Sequence, residues 1–179
     1  MSVLKWLSLA LFAVLAACQT VPDTVETSGK TYLVRHAEKT AERPDPGLTD
    51  AGSIRAVMLA DELEDVGLTA IWSTDYKRTR DTAAPIAARL GLEVQLYDPA
   101  DLPGFAAQLK TDPAQVALVV GHSNTTPQLT EALGGDPATP IDEGHEYDRL
   151  YVVDLISGQS ELRRYGVRYT PESADAPSQ

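Results

Sequence analysis

The sequence predicts an α/β fold, a three-layer sandwich in which a mostly parallel central sheet carries helices on both faces. Short runs of β-branched and apolar residues alternate along the chain with longer amphipathic segments, as in proteins whose strands are joined by helices. The 179 residues include 43% hydrophobic and 23% charged side chains, an ordinary composition for one globular domain. No internal repeat or low-complexity stretch interrupts the pattern.

The elements of the first half can be placed by their apolar spacing and their end signals. Residues 31–34 predict a buried strand, and Thr49-Asp50 predicts the start of a helix that ends at Gly67. The apolar residues expected on one face of this helix are Ile54, Val57, Met58, Leu59 and Leu63. A second strand over 70–73 is followed by a helix from about Asp75 to Leu90, which Gly91 stops.

The second half continues the alternation and closes with a hairpin. A short strand over 93–97 precedes a weak helix over 103–110, and 116–120 forms the clearest buried strand. The next helix, 127–133, has Thr125 and Thr126 as possible caps. The strands expected over 150–154 and 161–165 pair across Ser157-Gly158.

Residues 1–17 predict an export signal that is not part of the fold. Lys5 precedes an apolar run that is too short to cross a bilayer as a stable helix but suits a signal-peptide core. Leu15-Ala16-Ala17-Cys18 resembles the bacterial lipobox, whose cysteine is lipidated and becomes the mature N-terminus. Because Cys18 is the single cysteine, it cannot form an internal disulfide. We expect a lipid anchor there; the alternative is ordinary cleavage that leaves a free thiol.

The remaining boundaries follow from composition. Residues 18–29 form the lipidated cysteine and a flexible tether, 30–169 the folded domain, and 170–179 a disordered tail. By resemblance to Gram-negative lipoproteins, Gln19 after the cysteine favours the outer membrane, with the domain facing the periplasm.

The net charge of −11 and the absence of any basic run argue against a nucleic-acid partner.

Basic side chains follow three of the predicted strands. Arg35-His36 comes after the first strand, Arg78 shortly after the second, and His122 after the clearest one. Ligands bind outside the carboxyl ends of strands in open α/β sheets, so these residues predict one shared site. Arginine supplies bidentate donors for phosphate oxygens, an unprotonated imidazole is a nucleophile, and a second, protonated imidazole can hold negative charge. The residue types therefore favour phosphoryl transfer.

Four ordered motifs resemble those of one family. Residues 35–39, Arg-His-Ala-Glu-Lys, resemble the Arg-His-Gly signature of the histidine phosphatase superfamily, also called the phosphoglycerate mutase-like superfamily. Residues 48–52 are similar to its Leu-Thr-x-x-Gly turn, 73–83 to its Ser-x-x-x-x-Arg-Ala-x-x-Thr-Ala segment, and 121–124 to its second histidine motif. The resemblance spans nearly all of Lys30–Tyr165, and the small phosphohistidine phosphatases are the closest functional analogy.

The resemblance implies a phosphoglycerate mutase-like fold and a phosphatase that needs no metal or other cofactor. It implies that His36 is phosphorylated, that Arg35 and Arg78 grip the phosphate, and that His122 completes the pocket. Asn124, at the start of the following helix, is a further candidate donor to the phosphate; the alternative is a simple turn or cap residue. Ala37 stands where the family has Gly, which leaves less room beside the phosphate.

No motif identifies the acid that protonates the leaving group. Many relatives use a Glu between the second Arg and the second His, or an Asp directly after that His, but Ser123 follows His122 here. The candidates left open are Glu38, Asp98, Asp101 and Glu143, with Glu93 taken as a solvated carboxylate. His145 lies among four acids in residues 142–148 without regular ligand spacing, so we expect a solvated loop and no metal site.

The sequence therefore predicts an enzyme anchored in the bacterial envelope. It would hydrolyse a phosphomonoester or phosphoramidate of a small molecule or phosphoprotein through a phosphohistidine intermediate. A phosphoglycerate mutase is disfavoured, because an exported enzyme would not meet a glycolytic substrate and the family's mutases carry longer insertions. The alternative is a non-catalytic envelope lipoprotein that binds a phosphate ligand on the same fold.

Overall fold

The computed structural model describes residues 29–112 and 114–168. The export signal, Cys18, most of the tether and the tail from residue 170 lie outside these residues and stay predictions. Within the part of the chain that the structure describes, no helix is long and apolar enough to cross a membrane.

In the described part of the chain, six strands form one sheet and four helices cover it, in the predicted order. The strands are β1 (Lys30–Arg35), β2 (Ala70–Ser73), β3 (Val94–Leu96), β4 (Ala117–Gly121), β5 (Arg149–Asp154) and β6 (Ser160–Arg164). The helices are α1 (Asp50–Leu63), α2 (Lys77–Leu90), α3 (Leu102–Leu109) and α4 (Thr125–Ala132). The strand order is β3-β2-β4-β1-β5-β6. The first four strands in this order are parallel to one another, and β5 and β6 add an antiparallel hairpin at one edge.

The sheet is buried on both faces, which confirms the three-layer architecture. Successive side chains of a strand point to opposite faces, so Leu118 and Val120 of β4 pack into one core while Val119 packs into the other. The first core contains apolar residues of α1 and α2, and the second contains those of α3 and α4. Trp72 packs in the second core against Phe105, as expected of a core residue.

The predicted apolar face of α1 is partly wrong. Ile54 and Val57 are 57% and 45% exposed. The residues that α1 buries are Gly52, Arg55, Ala56, Leu59, Ala60 and Leu63. Arg55 is drawn inward by its ion pair with Glu38, at 2.8 Å, and apolar periodicity cannot reveal this rotation of the helix. The helix also ends at Leu63, before Gly67.

Helix α4 begins earlier than predicted, because two threonines lie inside its first turn instead of capping it. The hydroxyl of Thr125 accepts a hydrogen bond from the backbone N–H of His122, at 3.0 Å. The hydroxyl of Thr126 donates to the carbonyl oxygen of Val34, at 3.2 Å. A Cβ at Gly121 would lie 2.9 Å from the hydroxyl oxygen of Thr125, so the turn from β4 into α4 requires glycine. This turn places His122 beside the end of β1.

The loop before β5 is not uniformly solvated, contrary to the sequence-based expectation. Glu146 and Asp148 are 4% and 1% exposed. Glu146 is paired with Arg149 at 2.8 Å and with Arg164 at 2.7 Å, and Arg164 also pairs with Asp148 at 2.6 Å. Burial opposes ionisation of Glu146, but hydrogen bonds from Arg149, from the Asp142 backbone and from Arg164 lower its pKa overall. Arg149 lies on β5 and Arg164 on β6. The composition of the loop alone therefore does not reveal that its carboxylates are paired.

Candidate active site

The carboxyl ends of β1, β2 and β4 bring the predicted residues to one pocket. His36 follows β1 directly, His122 follows β4, and Arg78 lies in the first turn of α2. The pocket has a volume of about 510 Å³. Its lining residues are His36, Lys39, Tyr76, Arg78, Pro99, Ala100, His122, Ser123, Asn124, Thr125 and Glu143. The edge of the sheet where ligands were expected therefore carries a cavity with both imidazoles and Arg78.

His36 presents an unprotonated nitrogen. Its Nδ1 lies 2.7 Å from the carbonyl oxygen of Ala37. A carbonyl can only accept, so Nδ1 carries the proton and Nε2 keeps its lone pair. Burial lowers the pKa of His36 to about 3; the Ala37 hydrogen bond opposes this shift, whereas Arg35 and Arg78 add to it. The imidazole is therefore neutral near pH 7, the form that a nucleophile requires.

His122 is also neutral, and its hydrogen bonds fix which nitrogen carries the proton. Arg78 Nη2 lies 3.3 Å from His122 Nδ1, and a guanidinium can only donate, so Nδ1 accepts. The proton therefore lies on Nε2, which donates to the hydroxyl of Thr74 at 3.0 Å. Burial, followed by the charges of Arg78 and Arg35, lowers the pKa of His122 to about 4. The expected protonated imidazole is thus neutral in this structure.

Arg78 is held at the pocket from two sides. Its guanidinium stacks 4.5 Å above the ring of Tyr76, and its Nη1 lies 3.7 Å from Asp45 Oδ1. Both oxygens of Asp45 accept from the backbone N–H of Lys77, at 3.0 Å, so the same carboxylate caps α2. The Nε of Arg78 is buried and has no hydrogen-bond partner among the described residues. An oxyanion in the pocket would supply an acceptor for this guanidinium.

Arg35 is placed differently from the phosphate-gripping residue that the family resemblance implies. It is 1% exposed and is not among the residues that line the pocket. Its Nη1 donates to the carbonyl oxygens of Asp142 and Glu146, at 3.2 and 3.0 Å, and its Nη2 donates to that of Glu143, at 2.7 Å. The guanidinium also lies 4.1 Å over the ring of Tyr147. In this structure Arg35 therefore fixes the loop before β5 beside His36.

Residues of two motifs, 48–52 and 73–83, hold the segment after His36 in place. The backbone N–H of Ala37 donates to the hydroxyl of Thr82, at 3.0 Å, which explains the threonine in the 73–83 motif. Thr49 caps α1 by accepting from Gly52 N at 3.0 Å, and its own N–H donates to the carbonyl oxygen of Glu38 at 2.9 Å. A Cβ at Gly52 would lie 2.2 Å from that same oxygen, so α1 can approach only because this residue is glycine.

The four candidate acids lie in different places. Glu38 forms a bidentate pair with Arg55, at 2.9 Å, and does not line the pocket. Asp98 accepts from the backbone N–H of Ala100, and Asp101 caps α3 through Gly104 N; neither lines the pocket. Glu143 alone of the four does. The structure thus brings Glu143 to His36 and leaves the other three outside.

Sequence reasoning missed several residues of the site. The rings of Tyr76 and Tyr147 flank the imidazoles, with centroid distances of 5.1 Å from Tyr76 to His122 and 6.2 Å from Tyr147 to His36. Thr74 and Asp45 orient His122 and Arg78. Tyr76 and Thr74 stand inside the 73–83 motif, which offered a signal for them. Tyr147 and Asp45 lie in loops without a motif.

An open α/β sheet that places two neutral imidazoles and a guanidinium at its carboxyl edge brings together the types of groups that phosphoryl transfer uses. Within residues 29–112 and 114–168, no group of three or more His, Cys, Asp or Glu side chains is placed to hold a metal ion.

Comparison with known proteins finds similarity to one family over part of the chain. Residues 31–99 match the model described as histidine phosphatase superfamily (branch 1). This match covers less than half of the chain and shows a similarity to that superfamily. It is 41% identical over 75 residues to a protein of Escherichia fergusonii described as "Probable phosphoglycerate mutase GpmB"; the match covers 38% of this chain and 34% of that protein. The chain therefore spans about a third of the length of this curated relative.

Solved structures share the fold over most of the described chain. The α-ribazole phosphatase of Shigella flexneri has a TM-score of 0.60 and 18% identity, and the similarity covers 78% of this chain and 100% of that one. The protein histidine phosphatase SixA complexed with tungstate has a TM-score of 0.60 and 16% identity, over 76% of this chain and 95% of that one. Each of the two solved chains is matched over almost its whole length, and this shared fold confirms the predicted phosphoglycerate mutase-like architecture.

Proposed function

We propose that this chain is a phosphatase that transfers a phosphoryl group from its substrate to Nε2 of His36 and then to water. The observation that carries the proposal is the state of His36, which lines the pocket, is neutral and carries its proton on Nδ1 through its bond to Ala37, so that Nε2 keeps its lone pair. A solvated histidine would be partly protonated near neutral pH and would not have a fixed tautomer.

Each step uses groups already in the pocket. A phosphate dianion is attracted by Arg78, whose guanidinium can offer donors to the equatorial oxygens. Nε2 of His36 bonds to phosphorus as the bond to the leaving group breaks, and water then breaks the phosphorus–nitrogen bond to release inorganic phosphate. Binding of the dianion favours the protonated form of His122, which would then donate from Nδ1. The backbone carbonyl of Ala37 stabilises the charge that His36 gains when Nε2 is phosphorylated.

The substrate class is a phosphomonoester or a phosphoramidate with a polar leaving group. The pocket is open to solvent beside Glu143 and Ala100, both of which are exposed, so it can accept a group on a small molecule or on a protein surface. Support comes from the two structural neighbours, whose names are those of an α-ribazole phosphatase and a protein histidine phosphatase. The net charge of −11 disfavours highly anionic partners away from the pocket.

The test is formation of an acid-labile phosphoenzyme. The full chain, purified in detergent, is mixed with a labelled phosphoramidate or aryl phosphate and quenched. We expect label on the wild type and none on His36→Ala, with a loss of hydrolysis of at least 10³-fold. The matched control is His145→Ala, because His145 is exposed and does not line the pocket. Absence of label and of turnover in the wild type, with phosphate still raising the melting temperature, would indicate a phosphate-binding protein instead.

We further propose that the domain is exported and held in the bacterial envelope by a lipid on Cys18, with the outer membrane as its site. The support is the lipobox-like sequence that ends at the single cysteine. In a Gram-negative host, the wild type should fractionate with outer membranes and label with a palmitate analogue. Cys18→Ala should lose the label. Equal labelling of both proteins would contradict the anchor.

A further inference from the structure

We infer that Glu143 is the proton donor to the leaving group. The inference rests on the proposed phosphatase function and adds the one role that no family motif assigns. Its starting point is that Glu143 is the candidate carboxyl that shares the pocket with His36 and His122.

The position of Glu143 matches where a leaving group must lie. A second cavity of about 470 Å³ adjoins the pocket and is formed mainly by residues 39–46. Three residues line both cavities: Lys39, Arg78 and Glu143. A phosphoryl group held between His36 and Arg78 directs its leaving group away from the nucleophile, because attack and departure are in line. Because Glu143 lines both cavities, a leaving group that extends from one into the other can contact it.

The main chain of Glu143 is fixed while its carboxylate is not. Its carbonyl oxygen accepts hydrogen bonds from Arg35 Nη2 at 2.7 Å and from the Tyr147 hydroxyl at 3.4 Å. Among the described residues, its carboxylate has no hydrogen bond or ion pair. Glu38, by contrast, is bound to Arg55, and Asp101 is bound to the start of α3. A carboxyl group that must give and recover a proton cannot be held by a permanent cation or cap.

Arg35 connects this acid to the nucleophile. It directly precedes His36, and its guanidinium binds the carbonyl oxygens of the loop that carries Glu143. One side chain therefore sets the distance between the two catalytic groups. The buried pairs of Glu146 with Arg149 and Arg164 hold the other end of the loop. These contacts fix the backbone position from which the Glu143 carboxyl would act as a general acid.

The proton balance closes over the two steps. As His36 Nε2 bonds to phosphorus, the carboxyl proton of Glu143 passes to the leaving oxygen or nitrogen, which departs as a neutral alcohol or amine. The Glu143 carboxylate then takes a proton from the water that attacks phosphohistidine, which restores the acid and neutral His36. The first step uses the neutral carboxyl of Glu143, and the second step regenerates it. Glu143 is exposed, so water can reach it.

The experiment compares Glu143→Gln with the wild-type full chain on phosphate esters of graded leaving groups. With 2,4-dinitrophenyl phosphate, whose leaving group needs no proton, we expect kcat/KM of both proteins to agree within about threefold. With an alkyl phosphate, we expect kcat/KM of the variant to fall by about 10²- to 10⁴-fold with little change in KM. The dependence of kcat/KM on leaving-group pKa should therefore be steeper in the variant.

The controls separate this inference from the proposed function. Glu93→Gln removes an exposed carboxylate that lies outside both cavities and should behave as wild type. A variant Glu143→Gln that loses dinitrophenyl and alkyl substrates equally, or neither, would overturn the inference, as would a steeper dependence in Asp98→Asn instead. If the wild type itself forms no phosphoenzyme with dinitrophenyl phosphate, it is the proposed function that fails.

Discussion

The two pocket imidazoles are kept neutral by burial, and this has a consequence for stability. Their pKa values are lowered to about 3 for His36 and about 4 for His122, and the ordinary value of 6.5 returns when the chain unfolds. Below pH 6.5 the unfolded chain therefore binds more protons at these two imidazoles than the folded chain does. The free energy of unfolding should fall as pH falls from 6.5 towards 4, by up to about 1.4 kcal/mol per pH unit for each imidazole.

Urea unfolding at pH 7, 6 and 5 measures this effect. The double variant His36→Asn/His122→Asn removes both titrations and leaves the carboxylates in place, so its free energy of unfolding should depend less steeply on pH than that of the wild type. Equal slopes would show that the imidazoles are not shielded in the folded state. The comparison also cancels the contribution of Glu146, which titrates at lower pH in both proteins.

At the same scale, the sequence predicted which residues lie together at one pocket better than it predicted their contacts. His36, Arg78, His122 and Asn124 line one pocket because each follows a strand whose carboxyl end reaches the same edge. Arg35 shares that position but its guanidinium binds carbonyl groups more than 100 residues away in sequence. A motif specifies which residue stands beside the nucleophile, whereas a contact across that separation depends on how the loop packs.

The elements of the fold were predictable where local signals agree. Helix α2 ends at Gly91, which has a φ of 65°, and β2 spans the predicted residues. Helix α1 shows where the signals fail, because its buried face contains Arg55 and excludes Ile54. The ion pair of Arg55 with Glu38 decides the orientation of the helix, and both partners must be located before the pair can be seen.

The close approach of α1 to the segment after His36 gives a prediction for Gly52. In Gly52→Ala, the new methyl group would meet the carbonyl oxygen of Glu38, so the helix or the segment must move. We expect the free energy of unfolding to fall by about 1 to 3 kcal/mol, the range for overpacked cores, and kcat/KM to fall because the segment carries the nucleophile. Urea unfolding and dinitrophenyl phosphate hydrolysis measure the two effects. Ser53→Ala, on the exposed side of α1, is the control; an equally small effect of both variants would contradict the clash.

At the scale of the whole molecule, the antiparallel hairpin at the sheet edge supports the active-site loop. Arg149 on β5 and Arg164 on β6 bind Glu146, which also accepts from the Asp142 backbone at 3.2 Å. The parallel half of the sheet delivers His36 and His122, and the hairpin half fixes the loop that delivers Glu143. Sequence patterns predicted both halves, but the ionic cluster between them joins residues of the loop and two strands, which only the assembled sheet brings together.

Because the hairpin holds the loop that carries Glu143, we expect substitutions in the ionic cluster to change the pocket as well as the stability. Replacing Glu146 by Gln leaves the buried Arg149 without its carboxylate, an uncompensated charge that costs about 3 to 5 kcal/mol. Replacing both, in Glu146→Gln/Arg149→Met, removes the charge along with its partner and should recover part of the loss. Equilibrium unfolding of Glu146→Gln, Arg149→Met and the double variant measures the coupling energy. Glu146→Gln and the double variant should also lose kcat/KM for alkyl phosphates more than for dinitrophenyl phosphate, because the loop that carries Glu143 is loosened while His36 keeps its place. Uniform loss across the substrates would mean that the hairpin supports the nucleophile as well.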